Sequence, residues 1–293
     1  MKRGTWLAVA AYLIWGLLPI FWKQLHHLPP LEILGHRMIW SFAFLAMILA
    51  HRGQWPAWRA AFKNKRTRHI YMGTGAIISG NWLTFIWAIN NGYLVEASLG
   101  YFLNPLITVL LGVLFLKEKL RRMQWVALGL VLAGVAIPML QYGRVPWIAL
   151  ILAFSFAFYS LLKKSGPLES IPSMGMETGW MLIPGLTLLI VLQVKGQGAM
   201  GHAPAADHLF LFLTGLATAG PLLLFTAAAR IIPLSRIGVL QYIAPTLQFI
   251  LGITLYHEPF TRAQAIGFSL VWAAIAVYLG EGLYASRKNQ GMS

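Results

Sequence analysis

The chain has 293 residues, of which 58% are hydrophobic and 11% are charged, and its mean hydropathy is +0.67. A soluble globular domain has about 25% charged residues, so this composition argues against a soluble protein and indicates a membrane protein. The sequence contains no cysteine, which excludes disulfide bonds and thiolate chemistry.

Apolar runs of about 20 residues, each long enough to cross a hydrocarbon core of ~30 Å, recur along the whole sequence. They predict an all-α, polytopic membrane protein with ten transmembrane helices, at residues 5–22, 31–50, 70–90, 97–116, 123–140, 146–162, 173–193, 208–229, 237–256 and 263–283. The first run follows Lys2 and Arg3, as in a signal peptide, but it continues to about Trp22 and is expected to be a retained helix. The connecting segments are too short for a soluble domain, so the function is expected to lie within the membrane.

The net charge of +15 is distributed unevenly over this predicted topology. If the N-terminus is cytoplasmic, 18 of the 23 Lys and Arg residues, including Lys163 and Lys164, fall on the cytoplasmic side and four fall on the other side. This positive-inside pattern predicts an even number of spans with both termini in the cytoplasm. The basic balance is thus attributed to topology, with a secondary attraction to anionic membrane lipid, and no nucleic-acid partner is expected.

The fourth and ninth predicted spans share one sequence template. The segments GYFLNPLITVLLGVLFLKEKLRRMQW (100–125) and QYIAPTLQFILGITLYHEPFTRAQA (241–265) align without a gap at an offset of 140 residues. The matched pairs are Pro105 and Pro245, Gly112 and Gly252, Glu118 and Glu258, Arg122 and Arg262, and Gln124 and Gln264. The two glutamates fall at span ends, where we expect them to fix loops.

This template predicts two five-helix repeats, at residues 4–140 and 145–283. Because five spans is an odd number, the second repeat must cross the membrane in the opposite direction from the first. Such inverted repeats are typical of secondary transporters, in which the two halves exchange conformations to open one site to either side. The alternative is an old duplication whose product now has another role.

The two matched prolines predict where a binding site lies. Pro105 deprives the carbonyl of Tyr101 of its helical partner, and Pro245 does the same to the carbonyl of Gln241. Freed carbonyls are tolerated in a membrane only where protein or a water-filled cavity satisfies them, so both prolines are candidate hinges or helix breaks. Polar residues share the faces of these prolines: Ser98, Tyr101, Pro105 and Thr108 in one helix, and Gly238, Gln241, Pro245 and Gln248 in the other. We expect the two faces to line a central cavity, the alternative being ordinary hydrogen bonding between helices.

Aromatic and polar side chains in the spans complete the predicted site. A pocket with aromatic walls and a few fixed polar groups suits small amphipathic metabolites, although tryptophans also serve as interfacial anchors. The candidate substrate contacts are Trp15, Asn81, Trp82, Tyr101, Asn104, Gln241, Tyr242 and Gln248.

Two ionisable residues, Arg37 and Glu177, lie well inside predicted spans. Each is about six residues into its span, but the spans are inverted, so the two side chains are expected near opposite faces and not in a salt bridge. Each is expected to contact a partner on a neighbouring helix, substrate or water. Glu177 is also a candidate for proton coupling.

The sequence lacks the motifs of the common enzymes and pumps. There is no Walker-A loop, no H-E-x-x-H and no G-x-S-x-G, and the scattered histidines have no metal-binding spacing. We therefore expect neither an enzyme nor a protein that requires a cofactor or a metal.

The runs NWLTFIWAINN, EASLGYFLNPL, RRMQW, AFSFAFY and QYIAPT resemble the RarD branch of the EamA, or drug/metabolite transporter, superfamily. The resemblance covers nearly the whole chain. It implies a ten-helix inner-membrane carrier with two inverted repeats, which exports amino acids or other metabolites from a cavity lined by the fourth and ninth helices. The association of RarD with chloramphenicol sensitivity adds drugs as candidates. The two halves differ at Asn81 against Pro221 and at Asn104 against Ala244, so we expect a lopsided pocket.

The sequence thus predicts a secondary transporter that exports a small solute by alternating access. The alternatives are a channel or facilitator, which would show flux that does not saturate, and a membrane scaffold or enzyme that transports nothing. The sequence predicts no particular substrate, coupling ion or oligomeric state.

Overall fold

A computed structural model describes residues 2–91, 93–141, 145–201, 203–257 and 262–290. Within these ranges the chain forms α-helices and no strand, which confirms the predicted all-α class. The twelve helices are α1 Lys2–Lys23, α2 Pro30–His51, α3 Trp55–Lys63, α4 Lys65–Asn90, α5 Leu94–Leu116, α6 Arg122–Gln141, α7 Trp147–Ser165, α8 Ser170–Val194, α9 Ala205–Ile231, α10 Leu234–Gln241, α11 Ile243–Thr254 and α12 Arg262–Gln290.

Eight helical segments of the described chain are long and apolar enough to cross a membrane, with α10 and α11 together counting as one. This makes the protein a multi-pass membrane protein. Helix α4 begins with a basic stretch, and the apolar part of α6 is limited to Arg122–Ile137. The predicted count of ten spans also needs these two helices, and it stays a prediction. The connecting segment at 51–69 contains the short helix α3, which has no buried residue.

The helices pack mainly across the two predicted repeats and not within them. Helix α5 packs on α7 and α10, α2 packs on α8 and α9, α1 packs on α9 and α11, and α6 packs on α12. In the two predicted repeats α1, α2, α4, α5 and α6 correspond in order to α7, α8, α9, α10–α11 and α12. Replacing each helix by its counterpart converts one contact into another: the contact of α5 with α7 becomes that of α11 with α1, and the contact of α1 with α9 becomes that of α7 with α4. A two-fold relation between the halves predicts this pattern, while the inversion itself remains a proposal.

Glycines allow the closest approaches between the halves. A Cβ on Gly238 of α10 would lie 2.6 Å from the carbonyl oxygen of Pro105 in α5. A Cβ on Gly215 of α9 would lie 2.4 Å from the backbone of Trp40 in α2. Small residues at helix crossings are the usual means of close packing between membrane helices, where the surrounding lipid is as apolar as the core.

Glu118 fixes the start of a helix in the other half. Its Oε1 accepts a hydrogen bond from the backbone N–H of Leu234 at 2.6 Å, and its Oε2 accepts one from Ser235 at 2.8 Å. A carboxylate at a helix N-terminus satisfies free N–H groups and complements the helix dipole. We expected Glu118 to fix a loop, and its partner is instead the first turn of α10. Glu258 lies outside the described residues.

Candidate functional site

A cavity of about 710 Å³ lies between helices of both halves. Its volume is within the range of roughly 300–1,000 Å³ that is usual for small-molecule sites. The side chains and backbone that line it come from α1, α2, α4, α5, α7, α9, α10, α11 and the segment after α11. They include Tyr12, Trp15, Pro19, Trp22, Lys23, Arg37, Asn81, Trp82, Phe85, Gly100, Tyr101, Asn104, Phe156, Ala217, Thr218, Gln241, Ala244, Pro245, Gln248 and Tyr256.

The cavity brings together most of the residues predicted to contact substrate. Seven of the eight line it, namely Trp15, Asn81, Trp82, Tyr101, Asn104, Gln241 and Gln248. Pro245 and Arg37 line it as well. Their role in substrate binding stays a prediction, but the structure places them around one space.

Tyr242 is outside this group. Its hydroxyl donates a hydrogen bond to the carbonyl of Phe102 at 2.9 Å, and its side chain borders a small apolar void beside Pro105. In the structure Tyr242 therefore does not line the cavity. Its predicted contact with substrate stays a prediction.

The cavity face of α5 differs from the predicted one. Gly100, Tyr101 and Asn104 line the cavity, whereas Pro105 lies against Gly238 of α10. The predicted stripe consisted of Ser98, Tyr101, Pro105 and Thr108, and these residues lie on two neighbouring faces of α5.

The two prolines also differ in their effect on the helices. Helix α5 continues without interruption through Pro105, whereas the ninth predicted span is divided, with α10 ending at Gln241 and α11 beginning at Ile243. A proline inside a helix removes one hydrogen bond and bends the backbone, which a continuous helix can absorb as a kink. Pro105 thus does not end its helix, and Pro245 lies in the first turn of α11, while the role of both prolines as hinges stays a prediction.

Side-chain amides connect the two halves at the cavity wall. The Nε2 of Gln241 donates a hydrogen bond to Oδ1 of Asn104, and Nδ2 of Asn104 donates one to the carbonyl of Ala153 in α7 at 2.9 Å. Asn81 donates to the carbonyl of Leu152 at 3.0 Å and to Oγ of Ser155 at 2.8 Å. These bonds hold α4, α5, α7 and α10 in a fixed arrangement.

Two buried polar atoms of the cavity wall lack a partner within the described part of the chain. They are the hydroxyl of Tyr12 and Oε1 of Gln241. Buried polar groups are nearly always hydrogen-bonded, so an unpaired hydroxyl and an unpaired amide oxygen, both enclosed by protein, mark a part of the cavity wall that is not fully satisfied. The hydroxyl can donate or accept a hydrogen bond, and the amide oxygen can only accept one.

Aromatic rings form one part of the cavity wall. The ring of Trp15 lies 5.5 Å from that of Tyr12, 5.9 Å from Phe156 and 5.7 Å from Phe225, measured between centroids. These spacings are typical of packed aromatic pairs. Sequence analysis missed Trp22 and Phe156, although the spacing of Tyr12, Trp15, Pro19 and Trp22 places all four on one face of α1.

Arg37 lies in the cavity between two tryptophans. Its Nε donates a hydrogen bond to Oγ1 of Thr218 at 3.0 Å. The guanidinium carbon lies 4.5 Å from the ring centroid of Trp82 and 5.0 Å from that of Trp22. The expected partners on neighbouring helices are therefore a hydroxyl and two rings. Thr218 was missed because a lone threonine in an apolar helix has no distinguishing pattern.

Glu177 has a separate set of partners outside the cavity lining. Its Oε1 accepts hydrogen bonds from Nζ of Lys163 at 2.9 Å and from Thr74 at 2.5 Å, and its Oε2 accepts one from Tyr159 at 3.1 Å. A buried ion pair of this kind is stable only when its remaining hydrogen-bonding groups are satisfied. The sixth predicted span ends at residue 162, whereas α7 extends to Ser165 and leaves Lys163 only 2% exposed, and the predicted cytoplasmic side of Lys163 stays a prediction.

Comparison with known proteins relates the whole chain to transporters. The profile of the EamA-like transporter family matches residues 2–140 and 145–280. Uncharacterized transporter YojE of Bacillus subtilis is 44% identical over 281 residues, which cover 94% of this chain and 93% of that protein. Protein RarD of Escherichia coli is 40% identical over 287 residues, which cover 98% and 97% of the two chains.

Two further similarities are more distant. Chloramphenicol-sensitive protein RarD of Pseudomonas aeruginosa is 30% identical over 277 residues, covering 93% of this chain and 92% of that protein. The crystal structure of another protein superposes with a TM-score of 0.72 and 18% identity, covering 94% of this chain and 96% of the other. At this identity the second similarity concerns the fold alone.

Proposed function

Because this chain belongs to the EamA-like transporter family, as its sequence motifs predicted, we propose that it is a secondary transporter that exports small amphipathic solutes by alternating access. The observation that carries the proposal is the 710 Å³ cavity, whose wall contains polar side chains from both halves. Asn81, Asn104 and Arg37 come from the first half, and Thr218, Gln241 and Gln248 come from the second. Amino acids and other amphipathic metabolites are the candidate solutes, and the name of the Pseudomonas relative adds chloramphenicol.

Alternating access requires one end of the cavity to be closed while the other is accessible. The lining reaches Lys23 at the end of α1 and Tyr256 after α11, where the ammonium lies 3.9 Å from the Tyr256 ring centroid. The opposite end, near the start of α1, is held by polar contacts between the ends of α7 and α9. Lys164 donates hydrogen bonds to the carbonyls of Ala229 at 3.1 Å and Ile232 at 2.6 Å.

Two more contacts reinforce this closed end. Arg230 donates hydrogen bonds to the carbonyls of Gly166 at 2.8 Å and Leu168 at 2.6 Å, and Glu118 accepts those of the first turn of α10. In our proposal these contacts form a gate that must break before the cavity can open on the side of the N-terminus. The positive-inside pattern supports placing that side in the cytoplasm, with the protein in the inner membrane and the described conformation facing outward.

Proton coupling through Glu177 is a weaker proposal. Its carboxylate has three side-chain donors and does not line the cavity. These contacts support a structural role for Glu177, and transport driven by a pH gradient in a variant without it would support that role further.

The experiment that tests the function begins with a thermal-stability screen of the purified protein against amino acids, nucleosides and antibiotics. A ligand present at 100 times its dissociation constant adds about 2.7 kcal/mol of stability, which such a screen detects. The best ligand is then followed into proteoliposomes. We expect saturable uptake that is accelerated by unlabelled solute on the opposite side.

The variant Gln241→Ala should abolish this transport while leaving the amount of folded protein unchanged, because it removes an amide that bridges the halves and faces the cavity. Full transport by this variant would contradict the proposed site. Flux that rises linearly with concentration and shows no acceleration by solute on the opposite side would favour the channel alternative.

A further inference from the structure

The guanidinium of Arg37 is a positive charge inside the cavity that no described carboxylate neutralises. Arginine remains protonated in proteins and carries five N–H donors. Among the described residues only the Nε–H has a hydrogen-bond acceptor, which is the uncharged hydroxyl of Thr218. The guanidinium carbon lies 5.0 Å from the ring centroid of Trp22 and 4.5 Å from that of Trp82, and the N–H groups of NH1 and NH2 have no acceptor among the described residues, so they remain for another ligand.

The acidic residues of the chain are committed elsewhere. There are only eight Asp and Glu in the sequence. Six of them have assigned partners: Glu32 with His36 and the N–H of Ala199, Glu96 with the N–H of Ile148, Glu118 with α10, Glu177 with Lys163, Asp207 with His27, and Glu281 with Arg121. Glu169 is exposed at the start of α8, and Glu258 lies outside the described residues.

The cavity wall therefore has a positive character. Arg37 and Lys23 are its charged residues, and no aspartate or glutamate is among the described residues that line it. The guanidinium of Arg37 is partly buried, so an anion that enters the cavity replaces hydration which the charge has lost. Lys23, at the accessible end, adds attraction for the same sign of charge.

We infer that the solute carried by this protein is an amphipathic organic anion, whose oxyanion group binds the free edges of Arg37 and whose apolar body lies against the aromatic wall around Trp15. This inference deepens the proposed transport function and rests on it. A cation, or the ammonium of a zwitterionic amino acid, meets no carboxylate among the described lining residues, so net anions are favoured over free amino acids.

The test uses solutes that share one aromatic body and differ in the charge of the head group. Phenylacetate is an anion, phenylacetamide is neutral, phenethylamine is a cation and phenylalanine is a zwitterion. Phenyl phosphate is a second anion, and its comparison with phenylacetate shows whether the site prefers a phosphate or a carboxylate. Dissociation constants are measured by calorimetry on the purified full chain. We expect at least one of the two anions to bind about tenfold or more tightly than the amide, the amine and phenylalanine, as for a hydrogen bond between charged groups.

Variants assign this preference to Arg37. Arg37→Gln should weaken binding of the anion about tenfold or more and leave binding of phenylacetamide unchanged, which also shows that the variant is folded. Arg37→Lys keeps the charge and should retain part of the preference. Arg59→Gln is the matched control, because Arg59 is an exposed arginine whose guanidinium carbon lies 5.8 Å from the ring of Trp55, outside the cavity.

Equal affinity for all head groups, or an unchanged preference in Arg37→Gln, would overturn the inference. Failure of both anions to bind at about 20 mM would also overturn it, because a free guanidinium in a desolvated site should bind an oxyanion at millimolar concentration. Binding with this preference but without transport in proteoliposomes would contradict the proposed function alone. Saturable transport without any charge preference would contradict only the inference.

Discussion

The buried ion pair between Lys163 and Glu177 gives a sharp test of how the bundle is stabilised. The variant Lys163→Met removes an ammonium that lies 2.9 Å from the carboxylate and 3.0 Å from the hydroxyl of Ser173. The carboxylate then remains buried with only Thr74 and Tyr159 as donors. Breaking one partner of a buried pair costs about 3–5 kcal/mol, because the other charge is left uncompensated. We expect a loss of this size in the free energy of unfolding.

Unfolding in mixed detergent, followed by circular dichroism, measures this loss. The double variant Lys163→Met/Glu177→Gln removes both charges and should recover most of the stability. Arg121→Met is the matched control, since Arg121 is 53% exposed in its pair with Glu281 and should contribute at most about 1 kcal/mol. The reasoning is refuted if Lys163→Met costs no more than the control, or if the double variant is as unstable as the single one.

Three further outcomes follow from the geometry. Tyr242→Phe loses one hydrogen bond outside the cavity, so it should cost about 1 kcal/mol of stability and leave the affinity for the best ligand unchanged. Gly238→Val places a side chain against the backbone of α5 and should prevent accumulation of folded protein, whereas Gly73→Ala, with nothing within 4 Å of its Cβ, should be tolerated in the same gel-filtration assay. Lys164→Met removes two hydrogen bonds from the proposed gate. The probe is Ala217→Cys, which introduces the only cysteine of the chain into the cavity wall. Adding Lys164→Met to this variant should increase the labelling of the cysteine by an impermeant maleimide applied from the N-terminal side.

Much of the cavity could be predicted because helical periodicity and the 140-residue offset both constrain which residues face inward. Asn81 and Asn104 stood out as amides in otherwise apolar helices, and Gln241 stood out because it occupies the position that matches Tyr101. To predict that these residues line the cavity, it is enough to know which face of each helix points inward, and the spacing of residues in the sequence indicates that face.

The remaining features depend on where helices end and on contacts between distant segments. The position of Tyr242 outside the cavity lining was not predicted, because the break between α10 and α11 is a local event that periodicity does not locate. The burial of Lys163 was not predicted, because α7 continues three residues beyond the predicted end of the span at residue 162. The pairing of Arg37 with Thr218 joins helices 181 residues apart in sequence, and no pattern within one helix predicts it.

The positions of Arg37 and Glu177 show how the two halves have diverged. They occupy equivalent positions in the predicted repeats, 140 residues apart, yet one charge has a counter-ion and the other has none among the described residues. The charge of Glu177 is neutralised by Lys163 outside the cavity, whereas Arg37 faces the cavity with a hydroxyl and two rings. One half thus holds a closed ion pair that stabilises the bundle, and the other presents a free charge to the solute. If the halves exchange conformations as we propose, the guanidinium of Arg37 has to be accessible to the solute in both states.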